Sequence, residues 1–148
     1  EKRNIVEPQP IGKAIIYSLN LKNPLARREI EMVLTMEAEK FRHWVAEFRF
    51  LEDKVFFAVL FGSVIRKEAE ARDIDLLLVA EKIKKKEIDK FLEIKKKILS
   101  KPLHLLFQTP EDFVHDIRTK NKASLEILRT GIVLFGQEKI DRLVGEAI

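Results

Sequence analysis

Residues 55–79, VFFAVLFGSVIRKEAEARDIDLLLV, decide the fold of this chain. Two hydrophobic runs flank a polar segment that begins with Gly62-Ser63 and ends with Asp73-Ile74-Asp75. Hydrophobic runs of this length, bounded by turn-forming and charged residues, predict two buried strands. Because alternate side chains of a strand share a face, we expect the carboxylates of Asp73 and Asp75 to lie side by side.

Two adjacent carboxylates and a Gly-Ser turn together predict a site for a metal and phosphates. Carboxylate oxygens are the ligands that Mg²⁺ takes when it also holds substrate phosphates. Backbone N–H groups of a Gly-Ser turn, together with the serine hydroxyl, offer donors to such phosphates. The alternative is an ordinary surface turn with two solvated aspartates. Paired acids repel unless a cation or a base lies between them, and Arg66 and Arg72 are candidates for that base.

This pattern resembles the nucleotidyltransferase superfamily, the fold shared by DNA polymerase β and the minimal nucleotidyltransferases. The family pattern is Gly-Ser, an Arg three residues later, and Asp-x-Asp at the head of a hydrophobic strand. The matching residues are Gly62, Ser63, Arg66, Asp73 and Asp75. The resemblance implies an α/β (α+β) fold with a small mixed β-sheet flanked by helices. It also implies Mg²⁺ or Mn²⁺ on Asp73 and Asp75, and an NTP, with ATP as the first candidate, whose phosphates contact Gly62, Ser63 and Arg66. The activity would be transfer of a nucleotidyl group to an acceptor that the sequence does not identify.

The chain departs from the family pattern at three positions. Lys67 replaces a Gly, and Arg72 replaces a Ser. The third carboxylate of the family stands on a later strand, and the matching segment 101–107, KPLHLLF, has His104 in its place. We therefore predict a catalytic set of Asp73, Asp75 and His104, provided that the register of this strand is right. The alternative is a catalytically impaired binding or regulatory module, antitoxin-like or linked to DNA, with a protein or nucleic-acid partner.

Composition restricts the class of protein. The length of 148 residues predicts one domain, or one domain plus a fragment, and 46% hydrophobic content is ample for a core. The absence of Cys excludes disulfides, thiolate metal sites and cysteine nucleophiles. No apolar run has the length of a membrane span, so we expect a cytoplasmic protein without a membrane partner. The net charge of +4 permits a nucleic-acid partner, and the lack of an initial Met suggests that upstream residues are missing. The oligomeric state is not predicted.

We divide the chain at residue 50. Residues 1–50 are expected to form an arm with a strand near 13–20 and one long helix from Asn23-Pro24 to about Phe50, with Trp44 in the core. The strand resembles the last strand of a winged helix-turn-helix unit; the alternative is an arm packed on the domain. Residues 51–148 are expected to form the nucleotidyltransferase-like domain, and the resemblance spans roughly residues 50–137.

The remaining pattern predicts helices and strands in alternation after the Asp-x-Asp motif. We expect a turn or short helix at 63–70, a strand at 103–107, a strand at 132–136, and helices at 86–99, 110–120, 123–130 and 137–147. In the helix expected at 86–99, the inward-facing residues should be Ile88, Phe91, Leu92, Ile98 and Leu99. His43 and His115 have no companion at metal-ligand spacing and are interpreted as structural. A dense group of lysines predicts a solvated face, or alternatively a nucleic-acid surface; its members are Lys82, Lys84, Lys85, Lys86, Lys90, Lys95, Lys96, Lys97 and Lys101.

Overall fold

The computed structural model describes residues 3–148, which form six strands and six α-helices joined by short turns. The strands are β1 (Val6–Ile11), β2 (Ala14–Leu19), β3 (Phe57–Phe61), β4 (Ile74–Val79), β5 (Leu103–Gln108) and β6 (Ile132–Phe135). The helices are α1 (Pro24–Glu39), α2 (Arg42–Phe48), α3 (Lys85–Lys96), α4 (Pro110–Arg118), α5 (Lys122–Thr130) and α6 (Gln137–Ala147).

The central sheet has four strands in the order β5-β4-β3-β6. Strand β3 is antiparallel to both β4 and β6, whereas β4 and β5 are parallel. The sheet is therefore mixed, and β4 is a central strand with apolar side chains on both faces, as its sequence predicted. The predicted α/β (α+β) class is confirmed.

Helices cover both faces of this sheet. On one face, α2 and α3 pack against alternate residues of β3 and β4, including Leu76. The helices contribute Trp44 and Phe48 from α2, and Ile88 and Leu92 from α3. The other face packs against α4, α5 and α6; its core includes Phe57, Val59, Leu77, Phe113, Ile117, Ile127, Ile140 and Leu143. Because successive strand residues serve opposite cores, a shift of one residue in register would expose both apolar sets.

The N-terminal segment is a hairpin followed by two helices. The predicted strand at 13–20 is β2, which pairs with β1 across a turn where Gly12 has a φ of +60°. The side chains of both strands are largely exposed. Helix α1 begins as predicted, with the side-chain oxygen of Asn23 accepting a hydrogen bond from the Leu25 N–H at 2.8 Å.

The prediction of one helix from residue 24 to residue 50 is wrong. Helix α1 ends at Glu39, and Phe41 leaves the helical backbone with φ −116° and ψ 28° before α2 begins at Arg42. Phe41 packs, partly buried, against the core that holds Trp44. The break redirects the chain so that the apolar residues of α2 reach the sheet, which a single straight helix would not allow. Trp44 itself is buried, as predicted.

Helix α3 is shorter than predicted. It ends at Lys96 rather than at residue 99, so Ile98 lies beyond the helix and is 74% exposed. Ile88 and Leu92 are buried as predicted, but Phe91 is exposed at the rim, where its ring lies 6.2 Å from the ring of Phe50. The predicted inward positions of Phe91 and Ile98 are therefore wrong.

The C-terminal elements follow their local signals closely. Thr109 caps α4 through a capping box with Asp112, and α6 has the predicted bounds. No helix within residues 3–148 combines the length and apolar character needed to cross a membrane.

Candidate metal and nucleotide site

The turn after β3 meets the head of β4 at one end of the sheet. Phe61 pairs with Asp75 across the antiparallel strands. A Cβ atom at Gly62 would lie only 2.2 Å from Oδ2 of Asp75, and Gly62 has a φ of +79°. Only glycine fits this position without strain, because a side chain would collide with the carboxylate and the backbone is left-handed. The predicted proximity of the Gly62-Ser63 turn to Asp75 is thus present.

His104 completes a cluster with the two aspartates. Strands β4 and β5 pair in parallel so that His104 stands opposite Asp75, in the register that the sequence predicted. The Nδ1 atom of His104 lies 3.5 Å from Oδ2 of Asp73 and 3.6 Å from Oδ1 of Asp75. One ligand atom from each of the three residues lies within 4.8 Å of the others. Among the described residues, this is the one group of acids and histidines arranged to hold a metal ion.

The electrostatics of the cluster favour a bound cation. Burial raises the pKa of the Asp75 carboxyl, and the neighbouring Asp73 carboxylate raises it further, while His104 opposes both effects. Two partly desolvated like charges therefore stand beside each other with only an imidazole to compensate. A set of two carboxylates and one imidazole fits a divalent ion. Because Mg²⁺ prefers oxygen ligands and an imidazole suits Mn²⁺ or Zn²⁺, the donors favour Mn²⁺ over Mg²⁺.

The arginines do not supply the base between the two acids. His104 occupies that position, so the proposed placement of Arg66 or Arg72 there is wrong. Arg66 is exposed, and no described residue forms a hydrogen bond or ion pair with its guanidinium. Glu70, an acid of the same turn, lies 3.3 Å from Nζ of Lys67. Arg66 is thus available to a ligand at the turn that carries Ser63.

Most of the ion-paired lysines lie on a solvated face, as their sequence pattern predicted. Lys85 pairs with Asp89 at 2.8 Å, and Lys96 pairs with Glu93 at 3.2 Å. Lys101 differs from them, because its Nζ donates hydrogen bonds to two main-chain carbonyl oxygens of the segment that precedes Asp73. Sequence reasoning missed this contact, since no local signal links residues thirty positions apart.

The two other histidines lie outside the cluster. His43 contacts the carboxylate of Glu68 at 3.1 Å from its Nε2. His115 lies on α4 and is exposed. Neither belongs to a group of three possible metal ligands among residues 3–148.

Comparison with known proteins identifies the family. A family model described as polymerase beta, nucleotidyltransferase, matches residues 46–140. No curated protein and no solved structure gives a significant match to the chain. The matched range holds every candidate site residue: Gly62, Ser63, Arg66, Asp73, Asp75 and His104. Because the match covers more than half of the chain and includes the whole cluster, this protein belongs to the polymerase beta-type nucleotidyltransferase family.

Proposed function

We propose that the protein binds an NTP, with ATP as the first candidate, together with Mn²⁺ or Mg²⁺, and transfers a nucleotidyl group to an acceptor. The observation that carries this proposal is the convergence of Asp73, Asp75 and His104 within 4.8 Å, beside the Gly62 turn. Family membership supports the class of reaction. The acceptor stays open, because no described feature selects among a protein, a nucleic acid and a small molecule.

Each residue of the site has a role that its position supports. Asp73 and Asp75 would hold the cation, which when bound stabilises the charge on the attacking and leaving oxygens. Gly62 allows the main chain to pass close to Asp75, so the N–H groups of the turn and the hydroxyl of Ser63 can bind the terminal phosphates. Arg66, exposed on the same turn, would bind those phosphates as a bidentate donor.

His104 would act as the third member of the catalytic set. Its side chain is 64% exposed, so an acceptor hydroxyl can reach it. With the cation held by Asp73 and Asp75, a neutral imidazole that is not itself bound to the cation can accept the proton that the acceptor hydroxyl loses as its oxygen attacks the phosphorus. The nucleotidyl transfer then proceeds with pyrophosphate as the leaving group.

The same residue supports a second candidate function. The resemblance implies a carboxylate where this chain has His104, and an imidazole brings no negative charge to the metal. A site of this kind binds Mg²⁺ more weakly than one with three acids. The second candidate is therefore a module that binds a nucleotide without transferring it and regulates a protein or nucleic-acid partner.

Calorimetry with ATP tests metal-dependent nucleotide binding, which both candidate functions require. ATP affinity should rise when Mn²⁺ is present, and Asp73→Asn/Asp75→Asn should abolish that rise, because the two carboxylates would hold the ion that also binds the phosphates. The matched control is Asp53→Asn/Asp89→Asn, which removes the same charge at two exposed positions outside the cluster. Equal ATP affinity with and without metal would contradict the proposal.

Release of pyrophosphate separates the two candidates. Metal-dependent pyrophosphate release from ATP, lost in Asp73→Asn/Asp75→Asn, would favour the transferase. Metal-dependent binding without release, across protein, tRNA and nucleoside acceptors, would favour the binding module.

A further inference from the structure

Asp73 and Asp75 are not held in place by the same interactions. Asp75 lies within β4 and is fixed on both sides, opposite Phe61 of β3 and His104 of β5. Asp73 lies one residue before β4 begins, at the end of the loop formed by residues 62–73. Strand pairing therefore does not fix Asp73, and its position depends on whatever anchors the end of that loop.

Lys101 provides such an anchor. Its Nζ donates a hydrogen bond to the carbonyl oxygen of Ala71 at 2.7 Å and another to the carbonyl oxygen of Glu68. Ala71 is 7% exposed and stands two residues before Asp73. Next to Lys101, the carbonyl oxygen of Pro102 accepts a hydrogen bond from the N–H of Ile74 at 2.9 Å. The chain on either side of Asp73 is thus tied to the residues immediately before β5, the strand that carries His104.

The environment of Lys101 differs from that of the nearby lysines. Lys85 and Lys96 pair with carboxylates on the surface of their own helix. Lys101 is partly buried, and its Nζ donates to main-chain carbonyl oxygens of a different segment rather than to a carboxylate. A lysine used only for solubility would stay in water. The carbonyl group of Ala71 belongs to a buried residue, and leaving it without a donor would be costly, so this contact has a structural purpose.

We infer that Lys101 is a positioning residue that holds the loop 62–73 and thereby sets the place of Asp73 beside Asp75 and His104. The inference concerns the geometry of the loop, and its benefit for metal binding rests on the proposed function. Residues that orient metal ligands in this way typically change metal affinity by about ten- to a hundredfold when they are removed. Lys101 does not touch the metal or the nucleotide in this role; it acts through the main chain before Asp73.

Three variants test whether the two hydrogen bonds from Lys101 to the loop, rather than its positive charge alone, hold the loop in place. Lys101→Met removes the donor and the charge, and Lys101→Arg keeps both. Lys97→Met is the matched control, because it removes an exposed lysine four residues away for which no side-chain partner is recorded among the described residues. Hydrogen exchange is measured at the amides of Ala71 and Ile74, which donate to Lys67, Glu68 and Pro102. Mn²⁺ affinity is measured by calorimetry on the same proteins.

The exchange measurement decides the inference. In Lys101→Met the amides of Ala71 and Ile74 should exchange at least tenfold faster, with parent-like exchange in Lys97→Met and recovery in Lys101→Arg. Parent-like exchange at both amides in Lys101→Met would overturn the inference. The affinity measurement tests the link to the site: Mn²⁺ affinity should fall about tenfold or more in Lys101→Met and recover in Lys101→Arg. If the parent itself does not bind Mn²⁺, the proposed function is contradicted. The exchange result then still shows whether Lys101 holds the loop 62–73.

Discussion

At the scale of single residues, His104 determines how this member of the family differs from the pattern it matches. It stands opposite Asp75 and within ion-pair distance of both aspartates. In the resting protein an imidazole beside two carboxylates relieves their repulsion, which a third carboxylate would increase. We therefore expect histidine at this position to favour the stability of the metal-free protein and a carboxylate to favour Mg²⁺ binding.

A carboxylate at position 104 should lower the stability of the metal-free protein and raise its affinity for Mg²⁺. In His104→Asp, three acids lie together, so the free energy of unfolding without metal should fall by about 1–2 kcal/mol. Added Mg²⁺ should raise the melting temperature of His104→Asp more than that of the parent, because three carboxylates bind Mg²⁺ better than two. Thermal unfolding with and without Mg²⁺ measures both effects.

His115→Asp is the control for this substitution. It makes the same chemical change at an exposed histidine of α4, outside the cluster. Mg²⁺ should not stabilise it beyond the parent. Equal stabilisation by Mg²⁺ of His104→Asp and the parent would show that residue 104 does not contribute to a metal site.

The residues of this cluster could be proposed from the sequence, because strand alternation is a local rule for the two aspartates and the family resemblance points to His104. The pairing of Asp73 with Asp75 follows from their spacing, and the hydrophobic flanks of both motifs place them at the same end of a sheet. That His104 rather than an arginine is the base between the two acids could not be predicted, since this contact depends on the pairing of β4 with β5. The contacts of Lys101 could not be predicted either, because its partners Glu68 and Ala71 are distant in sequence.

At the scale of elements, local signals predicted where helices begin better than where they end. Helix α4 begins after its cap Thr109 as the sequence predicts, because capping depends on a few adjacent residues, and α6 begins at Gln137 as predicted. The break at Phe41 was missed because it depends on tertiary packing: the ring packs against the core rather than continuing the helix. The same reason explains Ile98, which ordinary periodicity places on a buried face but which follows the end of α3.

An ion pair between a half-buried arginine and a buried aspartate joins α1 and α6. Nε of Arg27 lies 3.3 Å from Oδ2 of Asp141, whose side chain is only 3% exposed. A Cβ atom at Gly145 would lie 3.0 Å from the Arg27 guanidinium, so Gly145 leaves space for the arginine to reach along α6. Burial raises the pKa of Asp141, Arg27 lowers it, and Glu31 raises it again.

This raised pKa predicts a pH dependence for Arg27→Met. Because the native pKa of Asp141 lies above its ordinary value of 3.8, the native state holds the proton more tightly than the unfolded chain. The stability that Asp141 contributes is thus full below the ordinary pKa and is lost as the pH rises through the native pKa. Without Arg27 the pKa of Asp141 rises further. Arg27→Met should therefore lose about 1–3 kcal/mol relative to the parent at pH 7, and the loss should shrink as the pH falls through the native pKa of Asp141 toward 3.8.

Urea unfolding of Arg27→Met and the parent at several pH values measures this difference. Arg28→Met serves as the control, because Arg28 pairs with Glu31 at the surface and should change the free energy of unfolding by no more than about 0.5 kcal/mol. A loss of stability in Arg27→Met that is the same at pH 4 and pH 7 would contradict a role for ionised Asp141.

At the scale of the whole molecule, two cores on opposite faces of one sheet account for the arrangement of the helices. The alternation in β3 and β4 assigns each residue to one core. The mixed sheet itself was expected from the family resemblance, because alternation does not fix the direction of pairing. How residues 1–50 relate to the rest could not be predicted in the same way. Trp44 and Phe48 belong to a core shared with β3 and β4, and no periodicity in the first fifty residues indicates which face they join.

This shared core makes a prediction about the division at residue 50. A chain that starts at residue 51 loses Trp44 and Phe48, whose rings lie 6.1 Å apart, and it also loses the buried Ala26 and Ala38 of α1. Removing a buried Trp or Phe costs about 3–5 kcal/mol each, which is comparable with the 5–15 kcal/mol that stabilises a typical domain. We therefore expect residues 51–148 alone not to fold.

A chain that starts at residue 23 is the matched comparison. It keeps the cap of α1 and both helices that contribute to the core, and it removes the hairpin of β1 and β2, whose side chains are largely exposed. Residues 23–148 should unfold cooperatively with a midpoint close to that of the full chain, and residues 51–148 should show no cooperative transition in circular dichroism or in urea. If residues 51–148 instead unfold cooperatively near the midpoint of the full chain, the division at residue 50 is a true domain boundary, and Trp44 and Phe48 only cover a core that is stable without them.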